Sequence, residues 1–243
     1  CDAVRFGFSE QIGDAKSPGQ EKGSAMLAAL ERGNLFVVPL DDQRQWYRYH
    51  HLFADVLRAH LMEEQPELVP ILHRRASEWY EQNGLPSDAI RHALAAEDFE
   101  RAANLVELAW PAMRRSSQQA TILGWVKALP DNLIRVRPVL SAVYGWAYMQ
   151  VGALEVADAR LRDAERWLDS AADMSERLQI SGAKMVVVDE EQFRSLPATI
   201  AIARTYHAQA LGDVPRTVTY GRRALDLLPE GDHLQRGVAA AIL

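Results

Sequence analysis

The chain has 243 residues, 48% of them hydrophobic and 25% charged, which is enough to bury a core in one large domain or two small ones and excludes wholesale disorder. Its net charge of -6 argues against a broad phosphate-binding surface, since non-specific nucleic-acid affinity rests on clustered Lys and Arg. The arginine pairs at 74–75, 114–115 and 222–223 are separated by acidic residues and read as solvated helix faces. The single cysteine, Cys1, permits no internal disulfide and fits a reducing cytoplasm; no apolar run is long enough to span a bilayer, and no signal peptide is visible. A cysteine in first position fits either a mature lipoprotein or the interior of a longer chain.

Between Phe6 and Gly23 the sequence is rich in Gly, Ser, Lys and Gln and reads as a loop. Ser24 then caps a helix running to Arg32, with Met26, Leu27 and Leu30 on its buried face, and Gly33-Asn34 stops it. The apolar run 35–40 and the aromatic run 46–50, joined by the polar residues 41–45, predict a β-hairpin. Helical spacing resumes through Leu52, Phe53, Val56, Leu57 and Leu61. Helix, hairpin and helix in that order match the wing end of a winged-helix domain.

From Pro66 onward nearly everything reads as helix. Pro66, Pro86, Pro111, Pro130 and Pro138 are expected at element starts, where a missing backbone N–H costs least. Helix pairs joined by short turns without strands predict an α-solenoid. The clearest unit pairs helices at 139–151 and 154–168 around Gly152. Its Gly145, Tyr148, Ala157, Leu161 and Ala164 take the small, aromatic, small, large and small positions of the tetratricopeptide pattern. Small side chains let two helices approach, and larger ones fill the neighbour's groove. A second unit at 198–229 turns at Gly212 and keeps Ala224 and Pro229, but has Thr205 and Ala208 where the first has Gly145 and Tyr148. A fainter one surrounds Gly84 with Tyr80 and Ala89, and residues 98–102 look like another turn and helix start. Residues 169–197 read as an insertion carrying the apolar 185–188 and the acidic 189–191. The apolar helix from Leu234 lacks a polar closing face, so the natural protein is expected to continue.

Residues 19–24 place Lys22 before Gly23 and follow no strand, so they form no phosphate loop. His50 and His51 are adjacent and cannot share a helix face as metal ligands do, and His60, His73 and His92 have no ligand spacing. No nucleophile motif is present. The chain is therefore expected to carry no catalytic residue, metal or cofactor of its own. If the repeats stack normally, Trp146, Met149 and Gln150, together with Tyr206 and Gln209, face the concave side where an effector would lie. An aromatic ring beside an amide suits a small polar ligand; the alternative is Trp146 packing against the next repeat.

Residues 30–57 (LERGNLFVVPLDDQRQWYRYHHLFADVL) resemble the region after the ATPase module in MalT-like LuxR-family activators, which belong to the signal-transduction ATPases with numerous domains (STAND). The likeness continues through LHRRASEWYEQNGLPSDAIRHALAAEDFERAANLVE, TILGWVKALPDNLIRVRPVLSAVYGWAYMQVGALEVADARL and FRSLPATIAIARTYHAQALGDVPRTVTYGRRALDLLPEGDHL. Cys1-Asp2-Ala3-Val4 also resembles an internal family segment, which turns Cys1 away from a lipoprotein start.

The resemblance implies a mainly α fold: a partial winged-helix domain with a β-hairpin (1–63), a helical arm (64–136) and an α-solenoid of tetratricopeptide-like helix pairs (137–243). It implies the effector-sensing and signal-transmitting segment of an ATP-dependent, cytoplasmic transcriptional activator, itself non-catalytic. ATP or ADP would bind a module preceding this chain. DNA would be contacted only through a missing C-terminal domain, and no membrane is involved. A small-molecule inducer or a regulatory protein would act on the repeat surface, and the parent would self-associate on activation. In STAND winged helices a histidine in an apolar-His-Asp-Leu motif contacts the nucleotide's phosphates and favours the closed state. Tyr49-His50-His51-Leu52 puts His50 in that position, with His51 standing where the family has Asp. An imidazole at a helix start can donate to a phosphate oxygen; the alternative is a hairpin histidine packed near Tyr47 and Tyr49. The competing functional reading is a tetratricopeptide scaffold for protein–protein interaction, which has no reason to carry the hairpin and helix around His50. An enzyme with a helical accessory domain would need a catalytic constellation, which the sequence lacks.

Overall fold

The computed structural model describes residues 3–5, 18–42, 46–115, 119–172 and 184–241. Cys1, residues 6–17 of the expected loop and the tip of the hairpin turn lie outside them. The chain divides into two units, Cys1–Val69 and Pro70–Leu243.

The first unit opens with strand β1 (Ala3–Arg5) and helix α1 (Pro18–Arg32). The helix thus starts earlier than the sequence reading has it. Pro18 stands at its first position, where a fixed φ favours a helix and no N–H is lost, and Ser24 lies in its interior. Asn34 then takes a left-handed φ of 53° while Leu35 N–H bonds back to Leu30 O at 2.9 Å, closing the helix. Strands β2 (Val37–Pro39) and β3 (Trp46–Tyr49) form the expected hairpin, with Val37 opposite Tyr49. β1 adds antiparallel to the other side of β3, giving the order β1-β3-β2. The core of this unit is Leu27, Val37 and Tyr47, flanked by Leu30 and Tyr49; Met26, expected inside, is exposed. His50 N–H donates to Phe36 O at 2.7 Å and ends the hairpin. Helix α2 (His51–Glu64) follows, and Phe53 stacks on Phe36 at 5.1 Å, while Leu52 and Val56 stay exposed.

The second unit is helical among the described residues. Helix α3 (Leu68–Gln82) turns at Gly84 into α4 (Pro86–Ala95), and α5 (Phe99–Arg115), α6 (Gln119–Ala128) and the short α7 (Asp131–Arg135) follow. Two long pairs complete it: α8 (Pro138–Gln150) with α9 (Leu154–Ala172), and α10 (Glu190–Ala210) with α11 (Val214–Leu227); α12 (His233–Ala241) lies last. Each pair turns on a glycine at a left-handed φ, 74° at Gly152 and 70° at Gly212, which a side chain would strain. Ala157, Leu161 and Ala164 are fully buried between α8 and α9. α8 also packs on α10, so that Val139, Ala142 and Ala164 meet Leu196 and Ile200 in one core. The architecture is a winged-helix unit followed by stacked helix pairs.

Three further expectations are corrected. Pro86 and Pro138 open their helices, but Pro111 lies inside α5. The segment between the two long pairs is shorter than 169–197, because α9 runs to Ala172 and α10 starts at Glu190. Its residues 184–188 are extended, with Val186 N–H on Val136 O at 2.9 Å, and residues 173–183 lie outside the described set. Finally, Arg114 is not on a solvated face: it is half-buried, its guanidinium 6.0 Å over the ring of Trp146.

Candidate functional site

A cavity of about 310 Å³ opens between α5, α8 and α10. Trp110, Pro111 and Arg114 form the α5 wall, Val139 and Ala142 the α8 wall, and Gln192, Ser195, Leu196 and Thr199 the α10 wall. Asp232, in the turn before α12, closes one side. Small-molecule sites typically begin at roughly 300 Å³ and combine apolar walls with a few directed polar groups. This lining has that mixture.

A proline sets the polar wall. Proline has no N–H, so Pro111 cannot bond the carbonyl four residues back, that of Glu107. The side chain of Gln192 takes it instead, Nε2 donating to Glu107 O at 3.1 Å. The other Nε2 hydrogen goes to Asp189 Oδ2 at 3.2 Å. Asp189 also caps α10 by accepting from the backbone N–H of Glu191 and Gln192, and the Gln192 side chain first, then these backbone groups, hold its carboxyl below its ordinary pKa. Gln192 is therefore fixed at the first turn of α10. One turn on, Ser195 Oγ donates to Gln192 O at 3.0 Å, and Thr199 Oγ1 donates to Ser195 O at 3.2 Å. Pro197 within α10 likewise leaves a carbonyl without its helical donor.

Behind Gln192 lies a buried ion pair. Arg137 is 2% exposed and donates to Glu107, itself 1% exposed, at 3.3 Å, and to the exposed Glu100. Burial pushes the Glu107 carboxyl up to about 7, against the opposing pull of Arg137. Glu107 Oε2 and Arg137 Nε are buried with no protein partner, so this pair is incompletely satisfied. The next buried cation, Arg204, joins α10 to α9 through Asp158 and Glu165, which raise its pKa above the ordinary value despite burial.

The sequence-selected residues divide between these surroundings. Trp146 and Tyr206 meet edge to face at 5.3 Å and pack on the core around Ala198, Ile202 and Leu228. Trp146 Nε1 is buried without an acceptor. Met149 is half-buried, while Gln150 and Gln209 are exposed at the helix ends. None of the five lines the cavity, although Trp146 shares a face of α8 with Ala142 and sits under Arg114. His50 stands at the N-cap of α2, exposed, its ring 4.4 Å from that of His51 and making no side-chain capping bond. His73 and His92 have no ligand spacing in sequence, yet their Nδ1 atoms lie 2.8 Å apart between α3 and α4. The cavity lining escaped sequence reading because it comes from three helices far apart in the chain. Its one local signal is the polar stripe Gln192, Ser195 and Thr199 at helical spacing.

Residues 14–69 match the family model of the MalT winged helix domain. Over 234 residues, 90% of this chain, the sequence is 29% identical to the HTH-type transcriptional regulator MalT of Serratia proteamaculans. It is 29% identical over 230 residues to that of Cronobacter sakazakii. The chain is MalT-like. This likeness to transcriptional regulators runs through both the winged-helix unit and the helix pairs. The MalT-like chain is also 38% identical, over 129 residues, to part of the serine/threonine-protein kinase PknK of Mycobacterium tuberculosis strain H37Rv. It spans 26% and 23% of the two MalT proteins and 12% of the kinase. No solved structure matches it. Among the described residues no helix is long and apolar enough to cross a membrane.

Proposed function

We propose that this chain is the effector-sensing and signal-transmitting segment of an ATP-dependent transcriptional regulator, and that it carries no catalysis itself. The observation that carries this reading is the cavity between α5, α8 and α10, with mixed apolar and polar walls on three helices. A ligand seated there would touch the arm helix α5 and two stacked pairs together, so its binding energy would favour one arrangement of those elements over another. The relatives support the reading from another side. A protein named as a serine/threonine-protein kinase and others named as HTH-type transcriptional regulators are each similar to part or most of this chain, and a receiving part is what such different outputs could have in common.

In this reading the helix pairs are tetratricopeptide-like repeats, and the parent works in the cytoplasm. ATP or ADP binds a module outside the chain, and DNA is contacted through a C-terminal domain also outside it. Effector binding, by a small molecule or a regulatory protein, promotes self-association. His50, exposed at the start of α2, contacts the nucleotide's phosphates and favours the closed state. The direct test is titration of the isolated chain with a fluorescent ATP analogue and with duplex DNA, following anisotropy. Neither is expected to saturate; saturable ATP binding by the chain alone would overturn the assignment. In the parent, His50→Ala is expected to raise transcription without effector, and unchanged basal output would remove His50 from the mechanism.

A further inference from the structure

We infer that the cavity receives a small amphoteric amine of the amino-acid class, its ammonium toward α10 and Asp232 and its carboxylate toward Arg114. This rests on the sensing function proposed above and adds the chemistry of the ligand. The inference comes from counting which hydrogens the lining has left to give. Both amide hydrogens of Gln192 are held by Glu107 O and Asp189 Oδ2, so Oε1 is what that side chain has to offer. Ser195 and Thr199 direct their hydroxyl hydrogens to carbonyls of their own helix and keep only lone pairs. Asp232 adds a carboxylate. The α10 side of the cavity is therefore a wall of acceptors.

The complement of such a wall is a group with several donors and no acceptor, which describes an ammonium. A sugar hydroxyl fits less well, because each also brings lone pairs for which this wall has no donor. The donors lie across the cavity on α5. The Arg114 guanidinium, in the α5 wall, matches a carboxylate with two parallel bonds. Arg114 and Asp232 already have partners within the chain; a guanidinium with five donors and a carboxylate with about four lone-pair sites each accommodate another. The two charges together select against simpler ligands. Arg114 repels a bare organic cation, and Asp232 repels a bare carboxylate. Trp110 and Leu196 leave apolar surface for a side chain.

The test uses the full chain and the twenty proteinogenic amino acids, screened singly by thermal shift and followed by calorimetry. The strongest binder is then compared with its decarboxylated amine, its deaminated acid and, as a neutral control, maltose. At least one amino acid is expected to bind, with affinity at least 10-fold above either half-molecule. Arg114→Gln should weaken the amino acid and the acid but not the amine, which is freed from a repulsion, whereas Asp232→Asn should weaken the amino acid and the amine but not the acid. Maltose binding with no amino-acid response would overturn the ligand class and leave the sensing function standing. A chain that binds none of these probes, or whose two variants affect all ligands equally, would overturn the inference as well. Saturable ATP binding, by contrast, is the result that removes the sensing function itself.

Discussion

A Cβ placed on Gly145 would stand 2.9 Å from Cδ2 of Leu161 and 3.0 Å from its Cγ, so glycine is what lets α8 lie against α9 at this depth. Leu161 is fully buried and has no open side to swing into. Gly145→Ala gains helix propensity of about 0.8–1 kcal/mol, but overpacking a tight core typically costs about 1–3 kcal/mol. The net expectation is destabilisation by about 1 kcal/mol, measured by urea unfolding. Leu161→Ala in the same background should relieve the clash, so the two substitutions should not add.

Pro111 and Gln192 are coupled through one carbonyl. Gln192→Ala strips Glu107 O of its donor and should cost about 1–3 kcal/mol, the range for leaving a buried polar group unpaired. Pro111→Ala supplies the missing backbone N–H. In that background the same glutamine substitution should cost about 1 kcal/mol less. A double-mutant cycle by chemical denaturation measures the coupling, and a value near zero would show that Gln192 does not compensate for the proline.

Glu107 makes stability fall as pH rises. In the folded chain its carboxyl keeps its proton up to about pH 7, while an unfolded chain releases it near 4.5. Its contribution is therefore fully present below 4.5 and is lost between there and about 7. Glu107→Gln should flatten that part of the curve of urea midpoint against pH. Arg137→Met removes the cation that opposes the shift, so in that variant the loss of stability should extend to higher pH.

His92 works in the opposite direction. Burial, with Arg91 adding to it, lowers its pKa to about 4, and His73 beside it is also lowered, chiefly by burial. An unfolded histidine protonates near 6.5. The His92 contribution is thus fully present above 6.5 and is lost as pH falls from there to about 4. NMR titration of the His92 ring should give a midpoint near 4; a midpoint near 6.5 would show that the ring is not held buried between α3 and α4 in solution.

The stacked helices were legible because their signals are local: a glycine at each turn, small residues where helices touch, and helical spacing between. The hairpin was legible for the same reason. β1 was not, since three residues of strand carry little pattern of their own and its pairing with β3 spans more than forty positions. Pro111 misled because an internal proline is read as a start, and the glutamine that repairs the lost bond comes from another helix. Helical spacing also put Met26 on the buried face, where tertiary packing left it exposed. Trp146 and Tyr206, which helical offset from Gly152 and Gly212 puts on one concave side, pack on each other. The cavity was not legible, because Trp110, Arg114, Thr199 and Asp232 come from distant parts of the chain and have no shared sequence pattern.

The central claim is that this chain receives a signal in the cavity and performs no output chemistry. It is tested most directly by the thermal unfolding midpoint of the full chain, measured against a library of small polar metabolites and against magnesium ATP. Ser195→Trp, which places bulk at the exposed edge of the α10 wall, serves as the blocked control. The expected result is a midpoint that rises with the concentration of at least one metabolite, does so far less in the blocked variant, and does not respond to ATP. A midpoint that rises and saturates with ATP, or a metabolite response unaffected by the blocking tryptophan, would contradict it.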